Sequence, residues 1–115
     1  HANDSIIVFD PLNQIVLNVN DKACETYQIQ RENFIGISLR NIAANLRQHE
    51  KMVNTVIQTS KAEEFEIIHL RSDNKPMNML VNSSFVEFNG NDAILSVNRD
   101  ITDRREIERL IERAL

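Results

Sequence analysis

A chain of 115 residues, 42% hydrophobic and 26% charged, has the length and balance of one ordinary globular domain. Its net charge of −4 and pI near 5.3 leave no dense basic surface for a nucleic-acid partner, and no apolar run approaches the ~20 residues of a membrane span, so no direct membrane contact is expected. The single cysteine, Cys24, excludes an internal disulfide and fits a reducing, cytoplasmic location.

Ser5 to Phe9 is a short β-prone apolar run closed by Asp10-Pro11-Leu12-Asn13, a turn with Pro at its second position and Asn at its fourth. Ile15, Leu17 and Val19 alternate in a second strand. Asn20 and Asp21 are placed to cap the next helix, whose narrow apolar side is Ala23, Cys24 and Tyr27. Gln30 to Ile42 reads as short helical pieces interrupted by Gly36. In Leu46 to Thr59, Met52, Val53, Val56 and Ile57 recur at helical spacing. From Glu63 the period becomes two. Phe65, Ile67 and His69 alternate until Ser72-Asp73-Asn74-Lys75-Pro76 ends the strand. Met77, Met79, Val81, Ser83 and Phe85 line one face of the next, and Asn89-Gly90 predicts a type I′ hairpin. Ala93, Leu95 and Val97 carry the last strand, after which Thr102 or Asp103 caps a charged helix to Leu115. Hairpins at both ends imply an antiparallel sheet with helices on one face, an α+β fold.

Four local motifs stand in this order: Asp4-Ser5-Ile6-Ile7-Val8-Phe9-Asp10; Ile15-Val16-Leu17-Asn18-Val19-Asn20 followed by Ala23; Phe34-Ile35-Gly36; and Arg99-Asp100-Ile101-Thr102-Asp103-Arg104. Together, over essentially the whole chain, they resemble the PAS family. They are similar to its first strand, its second strand with Asn20 as the helix-capping Asn, its hydrophobic-hydrophobic-Gly step and its closing Asp-Ile-Thr signature. Gln28 and Asn74 depart from it by standing where Gly is usual, although Asn tolerates a left-handed turn. The resemblance implies a five-stranded antiparallel sheet, a sensory domain over residues 1–101, and the start of a C-terminal linker or coiled-coil helix over 102–115. It also implies that the sequence begins at or just after the family's N-terminal flanking helix.

No catalytic constellation can be assembled, so enzymatic activity is not expected. With only Gly36 and Gly90 there is no glycine-rich phosphate loop, and there is no nucleophile elbow, His-Glu-x-x-His or cysteine pair. Cys24 reads as a small buried hydrophobe. The reactive-cysteine motif of the flavin-binding subgroup, Asn-Cys-Arg-Phe-Leu-Gln, is missing. His49 shares the face of Met52 and Val53, so it reads either as an axial haem ligand or, more plainly, as a first-turn histidine whose ring edge reaches solvent. Haem-binding relatives carry their ligand nearer the helix end, around Gln58 or Thr59. Haem on His49 is therefore not expected, no metal is assigned, and an unidentified small molecule stays open as the ligand.

His69 is in phase with Phe65 and Ile67, which makes it a hydrogen-bonded core histidine or a polar group lining a pocket. Met52, Met77 and Met79 fill gaps in a core or line an adaptable cavity. With Tyr27 and Asn82 as polar contacts, the ligand-pocket candidates are Tyr27, Met52, Val56, His69, Met79 and Asn82.

In the terminal helix, Ile107, Leu110, Ile111 and Ala114 form a narrow apolar seam. Arg105, Arg109 and Arg113 make one charged stripe, Glu108 and Glu112 another, and both gain sense against opposite charges on a partner helix. The plainer alternative is a solvated helix packed on its own domain. At the junction before it, Asp100 and Thr102 can accept bonds from the first turn's free amides, a signal-relay position by resemblance. The expected partners are a second copy and a C-terminal effector of the same chain. By resemblance that effector is a histidine kinase or a diguanylate cyclase. The alternative is a ligand-free protein-protein interaction module with a side-chain-filled core.

Overall fold

The computed structural model describes residues 3–115, so His1 and Ala2, the first residues of the expected domain, lie outside the described residues. The elements are β1 (Ser5–Phe9), β2 (Val16–Val19), α1 (Asp21–Tyr27), α2 (Arg31–Phe34), a 3-10 turn (Leu39–Ile42), α3 (Leu46–Thr59), β3 (Glu63–Leu70), β4 (Pro76–Phe88), β5 (Asn91–Asp100) and α4 (Thr102–Ala114). The strands form one antiparallel sheet in the order β2-β1-β5-β4-β3. Helices α1 to α3 cover one face of it, and the five-stranded α+β architecture expected from the sequence is present.

Local chemistry fixes the main turns. Asn20 caps α1 by accepting from the Ala23 amide, and the same oxygen accepts from the Ile6 amide, which ties helix to strand. Gln28 closes α1 at φ 55°, and Asn74 sits at φ 65°. Both residues that replace a usual Gly therefore adopt the left-handed conformation that Gly would take. Asn89 at φ 52° and Gly90 at φ 82° form the β4–β5 hairpin, where Phe88 pairs with Asn91. Asn45 caps α3 through the Gln48 amide.

The core lies between sheet and helices. Ile7, Phe9, Tyr27, Phe34, Met79, Val81 and Ile94 are at most 1% exposed within it. Burial of this kind supplies the main driving force for the fold. Cys24 is partly buried against the core rather than enclosed by it.

Three expectations are corrected. In β2 the buried residues are Val16 and Val19, while Ile15 and Leu17 are half-buried. A register shift between Val8 and Phe9 breaks the alternation that Ile15, Leu17 and Val19 suggest. In β5 the face turned to the helices carries Ile94, Ser96 and Asn98, and Leu95 and Val97 occupy the open face. At the start of α4 the cap position is Ile101, and Thr102 is the first helical residue. Among the described residues, no helix is long and apolar enough to cross a membrane.

Candidate functional site

A line of polar side chains runs through the interior beneath α1 and α3. Ser96 Oγ donates to Asn98 Oδ1 (2.6 Å), Asn98 Nδ2 donates to the Tyr27 hydroxyl (2.9 Å), and that hydroxyl meets His69 Nδ1 (2.7 Å). Ser83 stands 3.4 Å from Ser96 at the other end. All five residues are no more than 2% exposed. Burial without such bonds would cost each group its lost hydration. The Tyr27 ring also meets Phe34 edge-on, with centroids 5.7 Å apart. Desolvation pushes the Tyr27 pKa up and lowers that of His69 to about 3, so both groups are neutral at ordinary pH.

A second histidine joins this interior. His49 projects from α3 on the face of Met52, Val53 and Val56 and is fully buried, which corrects the expectation that its ring edge reaches solvent. Its Nε2 meets Gln14 Oε1 at 2.6 Å, and Gln14 Nε2 donates to Glu50, which Arg40 pairs at the surface. Desolvation lowers the His49 pKa, with Glu50 opposing the shift and Arg40 adding to it. A proton on His49 also disfavours one on His69, so the two rings share one electrostatic environment. The α3 entry lies along β3, where Ala43 bridges His69 and the Ala44 amide donates to the Ile68 carbonyl.

Of the six pocket candidates, Tyr27, Met52, Val56, His69 and Met79 are brought into this interior and are at most 3% exposed. Asn82 is not. It points to the open face of the sheet, near Glu64 and Arg99, and is exposed. Gln14, Ser96 and Asn98 were not singled out from the sequence. Gln14 gives no local signal, sitting at φ 61° after a turn. Ser96 and Asn98 had one. A two-residue Asn89-Gly90 hairpin sets Ser83 opposite Ser96 and Val81 opposite Asn98, so the inward reading of β4 carries both inward. Gln58 and Thr59 are exposed. Among the described residues, no group of three or more His, Cys, Asp or Glu is placed to hold a metal ion. A separate groove of about 510 Å³ lies at the Asn89–Gly90 end of the sheet against Leu17, Ile57, Phe85 and Phe88, and contains none of the six candidates.

The strand carrying Asn98 runs straight into α4. Asp100 Oδ1 accepts from both the amide and the hydroxyl of Thr102 (2.9 and 2.6 Å). The expectation that Thr102 serves the helix amides is corrected, because its hydroxyl instead accepts from the Asn78 amide (3.0 Å). The Asn78 carbonyl accepts from the Ile101 amide (2.8 Å), so β4 holds the junction by both its groups. Arg105 makes a bidentate ion pair with Glu66 on β3 and a further bond to Glu108.

Helix α4 thus turns Arg105, Glu108, Arg109 and Glu112 toward Asn78. Ile107, Leu110 and Ile111 face away and stay 56–57% exposed. Within the charged stripes, Arg105 pairs with Glu66 and Glu108, and Arg109 with Glu106, in the same chain.

A family model described as PAS domain matches residues 3–103. A search of curated protein sequences finds no match. Among solved structures, the chain is similar to a PAS domain from a two-component sensor histidine kinase (17% identity, covering 87% of this chain and 86% of that one, TM-score 0.75). It is similar to the PAS domain of a protein from Colwellia psychrerythraea (20%, 87% and 87%, TM-score 0.78). The PAS domain of nitrogen regulation protein NR(II) from Vibrio parahaemolyticus is a third such structure (14%, 85% and 89%, TM-score 0.72). At these identities the likeness establishes the fold.

Proposed function

The chain belongs to the PAS domain family, and from that premise we propose that it is a non-catalytic sensory and dimerisation module. In this reading it relays a stimulus to a C-terminal effector of the histidine kinase or diguanylate cyclase type. The observation that carries the reading is the orientation of α4. Its polar side is tied to the domain through Arg105 and Glu66, while Ile107, Leu110 and Ile111 are left facing solvent. An apolar stripe at three- and four-residue spacing gains most from burial against a like stripe, and a second copy supplies one. The line Ser96–Asn98–Tyr27–His69 supports the sensing half, because Asn98 lies two residues before Asp100. A change in the interior therefore has a short covalent path to the helix.

One observation favours the second reading, a relay without a ligand. Tyr27, Phe34, Met79 and both histidines fill the interior with their own side chains. In that case a partner protein rather than a small molecule shifts the sheet.

The test of relay uses the protein joined to its effector. Asp100→Ala removes both bonds that Thr102 donates to the Asp100 carboxylate. Effector output should stop following the stimulus while the denaturation midpoint of the domain changes little. A folded variant with a normal response would return Asp100 to a purely structural role.

A further inference from the structure

The groove of about 510 Å³ at the Asn89–Gly90 end of the sheet contains no residue of the buried polar line, and two turns contribute its walls. The β1–β2 turn supplies Asp10 and Leu12, and the β4–β5 hairpin supplies Phe88 and Asp92. With Phe88, the apolar lining includes Leu17 and Phe85, all three half-buried. Asp10 Oδ1 accepts from the Leu12 and Asn13 amides, and the turn so held leaves Leu12 85% exposed. A lone surface leucine is ordinary. One that continues into a half-buried apolar groove with a charged rim marks an interaction surface. That rim is acidic and unbalanced. Hairpin register sets Glu87 directly opposite Asp92, and like charges in that position repel. Among the described residues, Asp10, Glu87 and Asp92 make no ion pair, whereas Asp4, Glu50, Glu66 and Asp73 each have an Arg. No Lys, Arg or His lines the groove.

We propose that this groove docks a short segment of a partner protein in which one or two large apolar side chains are flanked by Lys or Arg. The apolar side chains cover Leu12, Leu17 and Phe85. The flanking cations answer carboxylates that stand on two separate turns, and they relieve the repulsion between Glu87 and Asp92. A second copy fits less well, because the chain carries a net charge of −4 and its exposed α4 seam is interleaved with Glu108 and Glu112. The proposal deepens the partner-driven reading of the relay and rests on that reading only for the consequence of docking.

The probe is the peptide acetyl-Gly-Lys-Arg-Leu-Phe-Lys-Arg-Gly-amide, titrated into the 15N-labelled 115-residue protein. One control peptide carries Glu at every Lys and Arg, and a second carries Ser at Leu and Phe. The expected result is saturable shifts of the backbone amides of Leu12 and of residues 89–92, with Glu63 and Glu64 on β3 moving least. Both control peptides should bind at least about tenfold more weakly. Leu12→Ser alters an exposed side chain, so the fold should stand while affinity falls at least about tenfold. Asp92→Asn should weaken binding and raise the denaturation midpoint, because it removes one of two repelling charges. The absence of saturable shifts at Leu12 and residues 89–92 would overturn the proposal, as would equal binding of either control peptide. Equal shifts at Glu63 and Glu64 would reduce the effect to net charge and overturn it too. Loss of a dimer in Leu12→Ser would assign the groove to a second copy instead. None of these outcomes touches the relay through α4, which is tested separately by cross-linking.

Discussion

The side-chain amide of Asn98 donates to the hydroxyl of Tyr27 at 2.9 Å, joining residues 71 positions apart in sequence. The bond places the last residue of α1 and the inner face of β5 in one buried polar line. Whatever moves the helix layer is felt at Asn98, which lies four residues before Thr102, the first residue of α4.

Tyr27→Phe removes the hydroxyl and leaves both Asn98 Nδ2 and His69 Nδ1 unpaired in the core. The expected loss is about 1–3 kcal/mol, read from urea denaturation as a lower midpoint at unchanged slope. An unaltered midpoint would show that the polar line contributes nothing to the fold.

Acid should weaken the domain before its carboxylates titrate. Burial lowers the pKa of His69 to about 3 and that of His49 below its ordinary value of 6.5. Folded, the rings stay neutral, whereas the unfolded chain binds protons as pH falls through about 6.5. Stability from this source is fully present above that pH and is lost on the way down, by at most ~1.4 kcal/mol per pH unit for each ring. Glu50 and Glu66 have lowered pKa values, each chiefly from a bond to Arg, so their contributions are lost only below 4.5. Unfolding free energy should therefore be lower at pH 5.5 than at pH 7.5, and His69→Phe should reduce that difference. A flat profile between the two would contradict the neutral burial of both rings.

Gly90→Val tests the hairpin. Gly90 sits at φ 82° with nothing within 4 Å of an added Cβ, so the cost is backbone strain alone. About 1–2 kcal/mol should be lost. An unchanged midpoint would mean that the turn relaxes to a conformation open to Val.

Much of the fold was legible because turn chemistry marks its corners: Asn20, Asn74 and Asn89-Gly90 stand where caps and positive-φ turns are required. The faces of β2 and β5 were harder. A bulge at Leu17 within β2 shifts Val16 inward, and a bulge is a pairing property that one strand's pattern does not contain. In β5 the apolar alternation of Ala93, Leu95 and Val97 masks an inner face that is two-thirds polar, and hairpin register outweighs it. The burial of Tyr27, Met52, Val56, His69 and Met79 follows their period. Asn82 points outward because it falls between the inward Val81 and Ser83. His49 was misjudged because its buried partner Gln14 lies 35 residues away.

Glu66→Gln should loosen α4 without unfolding the sheet. Glu66 holds Arg105 at an exposed position, where ion pairs are weak and screened by salt. Amide exchange at residues 105–107 should speed up in this variant, and about 0.5 M NaCl should have the same effect on the parent protein. Exchange in β4 and β5 should stay as it was. Unchanged exchange at residues 105–107 would mean that the Asn78 bonds alone position the helix.

The most direct test of the account asks which face of α4 meets a second copy. In a Cys24→Ala background, Leu110→Cys and Arg109→Cys place one thiol on the apolar seam and one on the polar side. Under mild oxidation, Leu110→Cys should form a disulfide-linked dimer rapidly and Arg109→Cys slowly. Equal rates, or no cross-linking from Leu110→Cys at concentrations where the protein sediments as a dimer, would contradict pairing through the seam.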